Sequence, residues 1–349
     1  MSTSRIPLYP FWLKHGAVWS AGFKWPLPDH FGDIAGEYRT LTGHAVLFDL
    51  SHRGRVEVSG QDRVNLLHNV LTQDIKALRS GESARALLLS AQGKCLADFR
   101  VFVFQDRIIL DTEPGLQQES MALLDKYIIA DDVTLRDITT ETCLLTMEGP
   151  LSGECSLSSE VKNRFTGVEL VRLPAGFSGE AGLGFLIPNS IAEVLATTLL
   201  GENTKTKPIP AGFACLDQRR IELGIVRFKQ DFDEDTLLPE TGLEIIAASG
   251  TKGCYPGQEV VARIETYGGL KKRIFTLSWP AGYAFSPGTI LMTGAHKAGR
   301  ITSGTLCCEG NKMAGLAILD LKAVGEAQNI LSFADTTAAA SLTVTANPA

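Results

Sequence analysis

Apolar positions along this chain follow two rhythms. Between about residues 37 and 145, short alternating runs give way to runs with a helical period. Arg55-Val56-Glu57-Val58 alternates as a half-buried strand does. Residues 63–75 set Val64, Leu67, Val70 and Leu71 on one helix face, and Gly60-Gln61-Asp62 supplies a start with Asp62 as cap. Strands are predicted at 85–89, 99–104 and 107–110, with Gln105-Asp106 as a hairpin turn, and a helix at 117–129. A second set follows, with strands at 142–147, 170–173 and 184–187 and a helix at 191–200.

Strands and helices mixed without strict alternation predict an α+β fold rather than a doubly wound parallel sheet. From Lys271 the helical period fades. Short strands at 273–279, 289–292, 299–302 and 313–319, separated by glycine and proline turns, predict a small closed β structure, with one last strand within 336–349. The expected organisation is a region 1–270 of two subdomains split near 145, a C-terminal β-barrel at 271–345, and a tail at 346–349.

A chain of 349 residues exceeds one ordinary core, and 21% charged with 44% apolar residues is the composition of a soluble globular protein. A net charge of -6 provides no general attraction to nucleic acid or to an anionic membrane, so neither is an expected partner. There is no apolar run long enough to span a bilayer, and Met1-Ser2-Thr3-Ser4-Arg5 followed by Pro7 and Pro10 lacks the apolar centre of a signal peptide, which makes the cytoplasm the default. Seven cysteines (Cys95, Cys143, Cys155, Cys215, Cys254, Cys307 and Cys308) with no C-x-x-C spacing argue for reduced thiols and against a sequence-local metal site. Cys143 and Cys215, among apolar neighbours, are predicted core residues.

The densest chemistry lies in Lys252-Gly253-Cys254-Tyr255-Pro256-Gly257-Gln258-Glu259-Val260-Val261-Ala262-Arg263. A cation two residues from Cys254 favours a thiolate, so this thiol reads as reactive or metal-holding, or else as a small residue buried in a glycine-rich turn. If Gln258 opens a helix ending at Gly268-Gly269, Glu259 and Arg263 form an i,i+4 pair; a strand is the alternative. In Asp217-Gln218-Arg219-Arg220-Ile221-Glu222-Leu223-Gly224, the Glu222 carboxylate suits the two parallel N–H donors of a pterin edge, or an ion pair with Arg219 or Arg220 on a helix surface.

Asp98, expected at the start of an apolar strand, is a candidate general base or amine-orienting group, or a partner of Arg100. Asp49-Leu50-Ser51-His52-Arg53-Gly54 reads as a structural turn. Cys307-Cys308, on a strand where successive residues face opposite ways, is a weak metal signal, and no metal ligands are assigned. Lys271-Lys272-Arg273 is either an attractor for a folate's carboxylate tail or a solvated strand end. Neither a dinucleotide fingerprint nor a P-loop is present.

The segment 252–263 resembles the motif of the YgfZ family, the folate-binding relatives of the glycine-cleavage T-protein (aminomethyltransferase). Residues 46–60, Arg220-Ile221-Glu222-Leu223-Gly224 and Gly299-Arg300-Ile301-Thr302-Ser303-Gly304 resemble motifs of the same superfamily, so the likeness covers most of the chain. It implies a cloverleaf of α/β folate-binding parts, one ferredoxin-like, and a C-terminal β-barrel, with tetrahydrofolate or a one-carbon derivative in a central channel. On this resemblance Glu222 holds the pterin, and Lys252, Tyr255, Gly257, Gln258 and Arg263 surround the cofactor. Cys254 is the reactive thiol in maintenance of iron–sulfur enzymes, which makes iron–sulfur proteins the partners. The alternative is a tetrahydrofolate-dependent aminomethyltransferase with a lipoyl-bearing carrier, in which Asp98 positions the amine. T-proteins carry paired aspartates where this chain has Ala97-Asp98, and they lack the thiol motif.

Overall fold

The computed structural model describes residues 6–20, 26–154, 165, 167–201, 207–282, 285–308, 310–326, 331–333 and 343–346. Cys155, the first five residues and the tail beyond Ala346 lie outside the described residues. The fold is α+β, as the mixed periodicity predicts, and it resolves into two compact units.

The first unit comprises Met1–Leu67, Ile75–Arg85 and Phe99–Leu216. In chain order it carries α1 (Tyr9–Lys14), β1 (Val18–Trp19), β2 (Pro28–His30), α2 (Ile34–Gly43), β3 (Val46–Asp49), β4 (Gly54–Ser59) and most of α3 (Arg63–Val70). It continues with parts of β5 (Ser83–Leu89) and β6 (Cys95–Val103), then β7 (Ile108–Thr112), α4 (Gln117–Asp125), β8 (Thr134–Asp137) and β9 (Thr142–Glu148). It closes with β10 (Glu169–Leu173), β11 (Gly182–Pro188), α5 (Ala192–Leu200) and β12 (Ile209–Pro210).

One sheet has the order β10-β11-β9-β3-β12, antiparallel except for the β12–β3 pair. Alternate residues of a strand face opposite sides. Cys143, Leu145 and Met147 therefore enter one apolar cluster with Trp12 and α5, while Leu144 joins Val46, Phe48 and Phe102 in another. Burial on both faces is why Cys143, Leu144 and Leu145 are apolar in succession rather than alternating with polar residues. Cys143 and Cys215 are buried, as predicted.

The Gln105-Asp106 hairpin forms, with Phe104 N–H donating to the Arg107 carbonyl at 2.9 Å. The Asp49–Gly54 segment is the structural turn expected. Asp49 accepts from the Ser51 N–H at 2.9 Å and from the Trp12 indole at 2.6 Å. Arg53 pairs with Asp111 at 2.6 Å and Glu113 at 2.8 Å, and the fully buried Arg55 donates to the carbonyls of Ser51, Arg53, Thr139 and Thr142. Asp62 departs from its predicted role: its carbonyl accepts the first helical bond from Leu66, but its carboxylate takes the Asp132 N–H at 2.9 Å.

The second unit comprises His68–Asp74, Ala86–Asp98 and Asp217–Ala349. It holds most of α6 (Phe213–Glu222), α7 (Leu238–Thr241), α8 (Glu244–Ala247), α9 (Gln258–Tyr267), β13 (Lys272–Pro280), β14 (Ile290–Thr293), β15 (His296–Leu306), β16 (Lys312–Asp320), α10 (Leu321–Glu326), β17 (Ser332–Phe333) and β18 (Thr343–Ala346). The helix predicted over 63–75 ends at Val70. Its continuation is turned into strand-like pairing, with Thr72 N–H on the Leu87 carbonyl and Leu71 opposite Leu88.

The C-terminal sheet is antiparallel in the order β17-β14-β15-β16-β13-β18, and Leu277, Trp279, Leu291, Ile301, Leu319 and Phe333 fill its core. The strand expected near the C-terminus is β18, paired to β13. In β15 the register slips between Ile301 and Ser303, a bulge that frees Thr302 from strict alternation. As a result both hydroxyls reach one carboxylate: Thr302 and Ser303 each donate to Asp231 Oδ1 at 2.6 Å. The other oxygen of Asp231 accepts from Arg220 at 2.8 Å and from the Arg227 N–H at 2.9 Å. Arg220 completes the set, donating to Asp217 at 2.6 Å, Ser303 at 2.9 Å and the Ile225 carbonyl at 3.0 Å. Among the described residues no helix is long and apolar enough to cross a membrane.

Removing one member of a buried ion pair leaves the other desolvated, at a cost of about 3–5 kcal/mol. Asp231→Ala is expected to lose stability of that order, read as a lower midpoint in urea denaturation. An unchanged midpoint would show that Asp231 is dispensable to the second unit.

Candidate functional site

All the residues singled out for chemistry lie in the second unit. The motif at 252–263 begins in a turn closed by Ser249 Oγ, which accepts from the Lys252 N–H at 3.2 Å. The Lys252 side chain is buried, and its ammonium donates to the carbonyls of His68, Leu71 and, at 3.3 Å, Gln73. These carbonyls belong to the last turn of α3 and the segment after it, where a helix leaves its acceptors without internal partners. The same ammonium stands 5.1 Å from the ring centroid of Tyr255. The cation expected to act on the Cys254 thiol is thus committed to backbone carbonyls, because a buried ammonium requires acceptors.

Tyr255 is buried beneath Lys252, and burial, with Glu265 adding to it, pushes its phenol above the ordinary range. Gly257 has φ +79° and caps α9; a Cβ there would lie 2.4 Å from the Ser90 carbonyl oxygen. That approach to the turn between β5 and β6 requires glycine. Gln258 to Tyr267 are helical, which decides between the two readings of this stretch, and Gly268 at φ +73° ends the helix. Glu259 and Arg263 fall one turn apart on its exposed side, and neither has an ion-pair partner among the described residues. Cys254 is exposed at the turn.

Glu222 belongs to a separate cluster at the C-terminal end of α6. Gln218, one turn earlier and 3% exposed, donates to Glu222 Oε1 at 3.0 Å, and the Arg219 guanidinium lies 3.9 Å from Oε2. Arg220, the other predicted partner, is turned to Asp217 and Asp231 instead. Burial first, then the Glu222 charge, pushes the Cys307 thiol up to about 12. Gln218 also donates to Cys308 Sγ at 3.2 Å, and Cys308 reaches Gln218 Oε1 at 3.4 Å.

The expectation that Cys307 and Cys308 face opposite ways is therefore corrected. β15 ends at Leu306, and the chain then turns, with Cys307 N–H on the Lys312 carbonyl and Gly310 N–H on the Cys307 carbonyl. Strand alternation no longer applies, and the Cys308 thiol meets Gln218 on α6. Among the described residues no three His, Cys, Asp or Glu side chains are arranged to hold a metal ion. Gln218 and Cys307 were not assigned to this site from sequence. The only signal for Gln218 was its i,i+4 spacing from Glu222, and nothing local pointed from Cys307 to α6.

Asp98 is half-buried within β6 rather than at its start, because the strand begins at Cys95, whose N–H bonds the Thr236 carbonyl at 2.9 Å. In the 271–273 cluster, Lys272 lies 3.6 Å from Glu240 and Arg273 2.9 Å from Glu244. Two of its three charges thus serve α7 and α8. Burial pushes both carboxyls up, the cations pulling them back.

A putative chloroplastic transferase of Arabidopsis thaliana is 30% identical over 297 residues, which cover 80% of this chain and 66% of that protein. The chain thus spans about two thirds of that relative's length. An aminomethyltransferase of Anoxybacillus flavithermus is 25% identical over 329 residues, 90% of each chain. Among solved structures, the glycine cleavage system aminomethyltransferase T of Bartonella henselae superposes with a TM-score of 0.82 at 21% identity, covering 99% of this chain and 98% of that one, which establishes a shared fold. The family described as the GCVT N-terminal domain matches residues 8–250, most of the chain. With that span matched and that fold shared, the chain belongs to the GCVT N-terminal domain family.

Proposed function

We propose that this protein binds tetrahydrofolate or a one-carbon derivative and acts in the assembly or repair of iron–sulfur clusters, with Cys254 as its reactive thiol. The observation that carries this reading is the exposed Cys254 at a rigid turn, followed by a helix whose Arg263 has no ion-pair partner among the described residues. A turn fixed by Lys252 below and by Gly257 behind presents the sulfur without burying it. Such a thiol is accessible to a partner protein, and iron–sulfur proteins are the partners this reading implies.

The chemistry of the donor set fits the folate. Glu222 accepts from Gln218 at 3.0 Å, and a carboxylate is the acceptor that matches the two parallel N–H donors of a pterin edge. In this reading Glu222 holds the pterin and Arg263 meets the anionic tail. Gln258 contributes surface beside Cys254, the buried Tyr255 supports the turn from within, and Gly257 keeps the backbone close. Lys252 serves the set indirectly by holding the turn.

The names of the relatives favour a second reading, a folate-dependent aminomethyltransferase served by a lipoyl-bearing carrier, in which Asp98 positions the amine. Against it stands Ala97 where T-proteins have the first of two aspartates.

Three outcomes are expected. Titration with tetrahydrofolate gives saturable binding that Glu222→Gln weakens by roughly tenfold or more, the size of one lost charge-assisted pair; absence of binding at millimolar ligand removes the folate part. Cells carrying Cys254→Ser in place of the wild-type protein lose iron–sulfur enzyme activity, and full activity in those cells removes the thiol's role. Assayed with an aminomethyl donor, the protein forms no 5,10-methylenetetrahydrofolate; formation that Asp98→Asn abolishes would establish the second reading instead.

A further inference from the structure

We infer that the groove between the edge of β10 and the tip of the β6–β7 hairpin receives a short extended segment of a partner protein, one that carries a basic side chain. The groove lies wholly in the first unit, and none of its residues takes part in the proposed function. It is lined by Ser80 and Gly81, by the hairpin tip at 104–107, and by Glu169 and Leu170. With about 1170 Å³ of space, part of it open to solvent, it has room for a few residues of chain.

The free edge follows from strand parity. β10 is the last strand of its sheet, paired on one side only, to β11, in an unbroken register. In an antiparallel pair the backbone groups of successive residues point alternately toward the partner strand and away from it. Arg172 points away: its N–H donates to the Gly81 carbonyl at 2.8 Å and its carbonyl accepts from the Ser83 hydroxyl at 2.5 Å. Leu170, two residues earlier, therefore turns its N–H and carbonyl the same way. Residues 81–83 cover the edge at Arg172, but the chain then leaves through a turn in which the Glu82 N–H closes on the Arg79 carbonyl at 3.0 Å. Among the described residues nothing takes its place beside Leu170. A strand laid there would meet one donor and one acceptor, the minimum that strand addition needs.

Charge selects the side chain. Arg107 is the one cation of the lining, and it is shared among Glu169 at 2.7 Å, Glu57 at 3.3 Å and Asp106 at 3.4 Å. The lining thus carries two carboxylates against one guanidinium. Asp106 is the more accessible of the two, with its side chain 71% exposed at the hairpin turn. A lysine or arginine on the incoming segment meets this surplus, whereas an acidic residue is repelled.

The test uses the full-length, isotope-labelled protein and the blocked pentapeptide acetyl-Ala-Val-Lys-Val-Ala-amide, followed by amide NMR. Saturable binding is expected, with exchange of the Leu170 amide slowed roughly tenfold as its N–H gains an acceptor. Replacing the peptide's lysine by glutamate is expected to weaken binding at least roughly fivefold, and Asp106→Asn to weaken the lysine peptide roughly threefold, the scale of an exposed ion pair. A peptide with N-methylated central amides, which cannot pair as a strand, is expected not to bind. Absence of binding by the lysine peptide at about 10 mM overturns the inference, as does equal binding of the N-methylated peptide. Equal binding of the glutamate peptide overturns the charge requirement. A Leu170 amide already protected in the free protein overturns the partner as occupant: sedimentation at dimer mass then assigns the edge to a second copy, and at monomer mass to the chain itself.

Discussion

A single buried carboxylate organises the part of this molecule that carries its candidate chemistry. Asp231 receives two hydroxyls from the bulge in β15, a guanidinium from α6 and a backbone N–H from the loop between them. The hydroxyls and the guanidinium are buried and share this acceptor, so a shift of one element relative to the others weakens hydrogen bonds that water cannot readily replace. Glu222 lies on the same helix as Arg220, two residues on. Its placement beside Gln218, Cys307 and Cys308 follows from the Arg220–Asp231 bond that fixes the end of α6 against the C-terminal sheet.

Two groups of charged residues show this logic. Arg53, Arg55, Arg220 and Lys252 are buried, and all four end on carboxylates or backbone carbonyls. They hold turns and helix ends. Arg263 and Glu259 are exposed on α9, one helical turn apart and without ion-pair partners among the described residues. The motif at 252–263 contains both classes, and its first cation is architectural while its last is available. That contrast comes from burial alone, since both residues carry the same charge.

The exposed thiol follows from the same construction. Gly257 lets α9 begin against the turn at Ser90, and Lys252 draws the other side of the motif onto the end of α3. Between these two attachments Gly253 and Cys254 face solvent, while Tyr255 turns inward beneath the ammonium. The sulfur is held in place by its neighbours rather than by any bond of its own that the motif shows.

Local chemistry was enough to determine much of this protein. Alternation and helical period located many of the longer strands of both units, the hairpin at Gln105-Asp106, the turn at Asp49–Gly54 and the core positions of Cys143 and Cys215, because these depend on neighbours a few residues apart. The clustering of a thiol, cations and glycines at 252–263 marked the motif for the same reason. What the tertiary structure alone decided are the partners of the polar groups. That Lys252 points to the end of α3, that Arg220 passes over Glu222 for Asp231, and that Cys308 meets Gln218 on α6 all join residues roughly 10 to 180 positions apart. A buried donor takes whichever acceptor the packed chain brings to it, and no spacing along the sequence encodes which one that is.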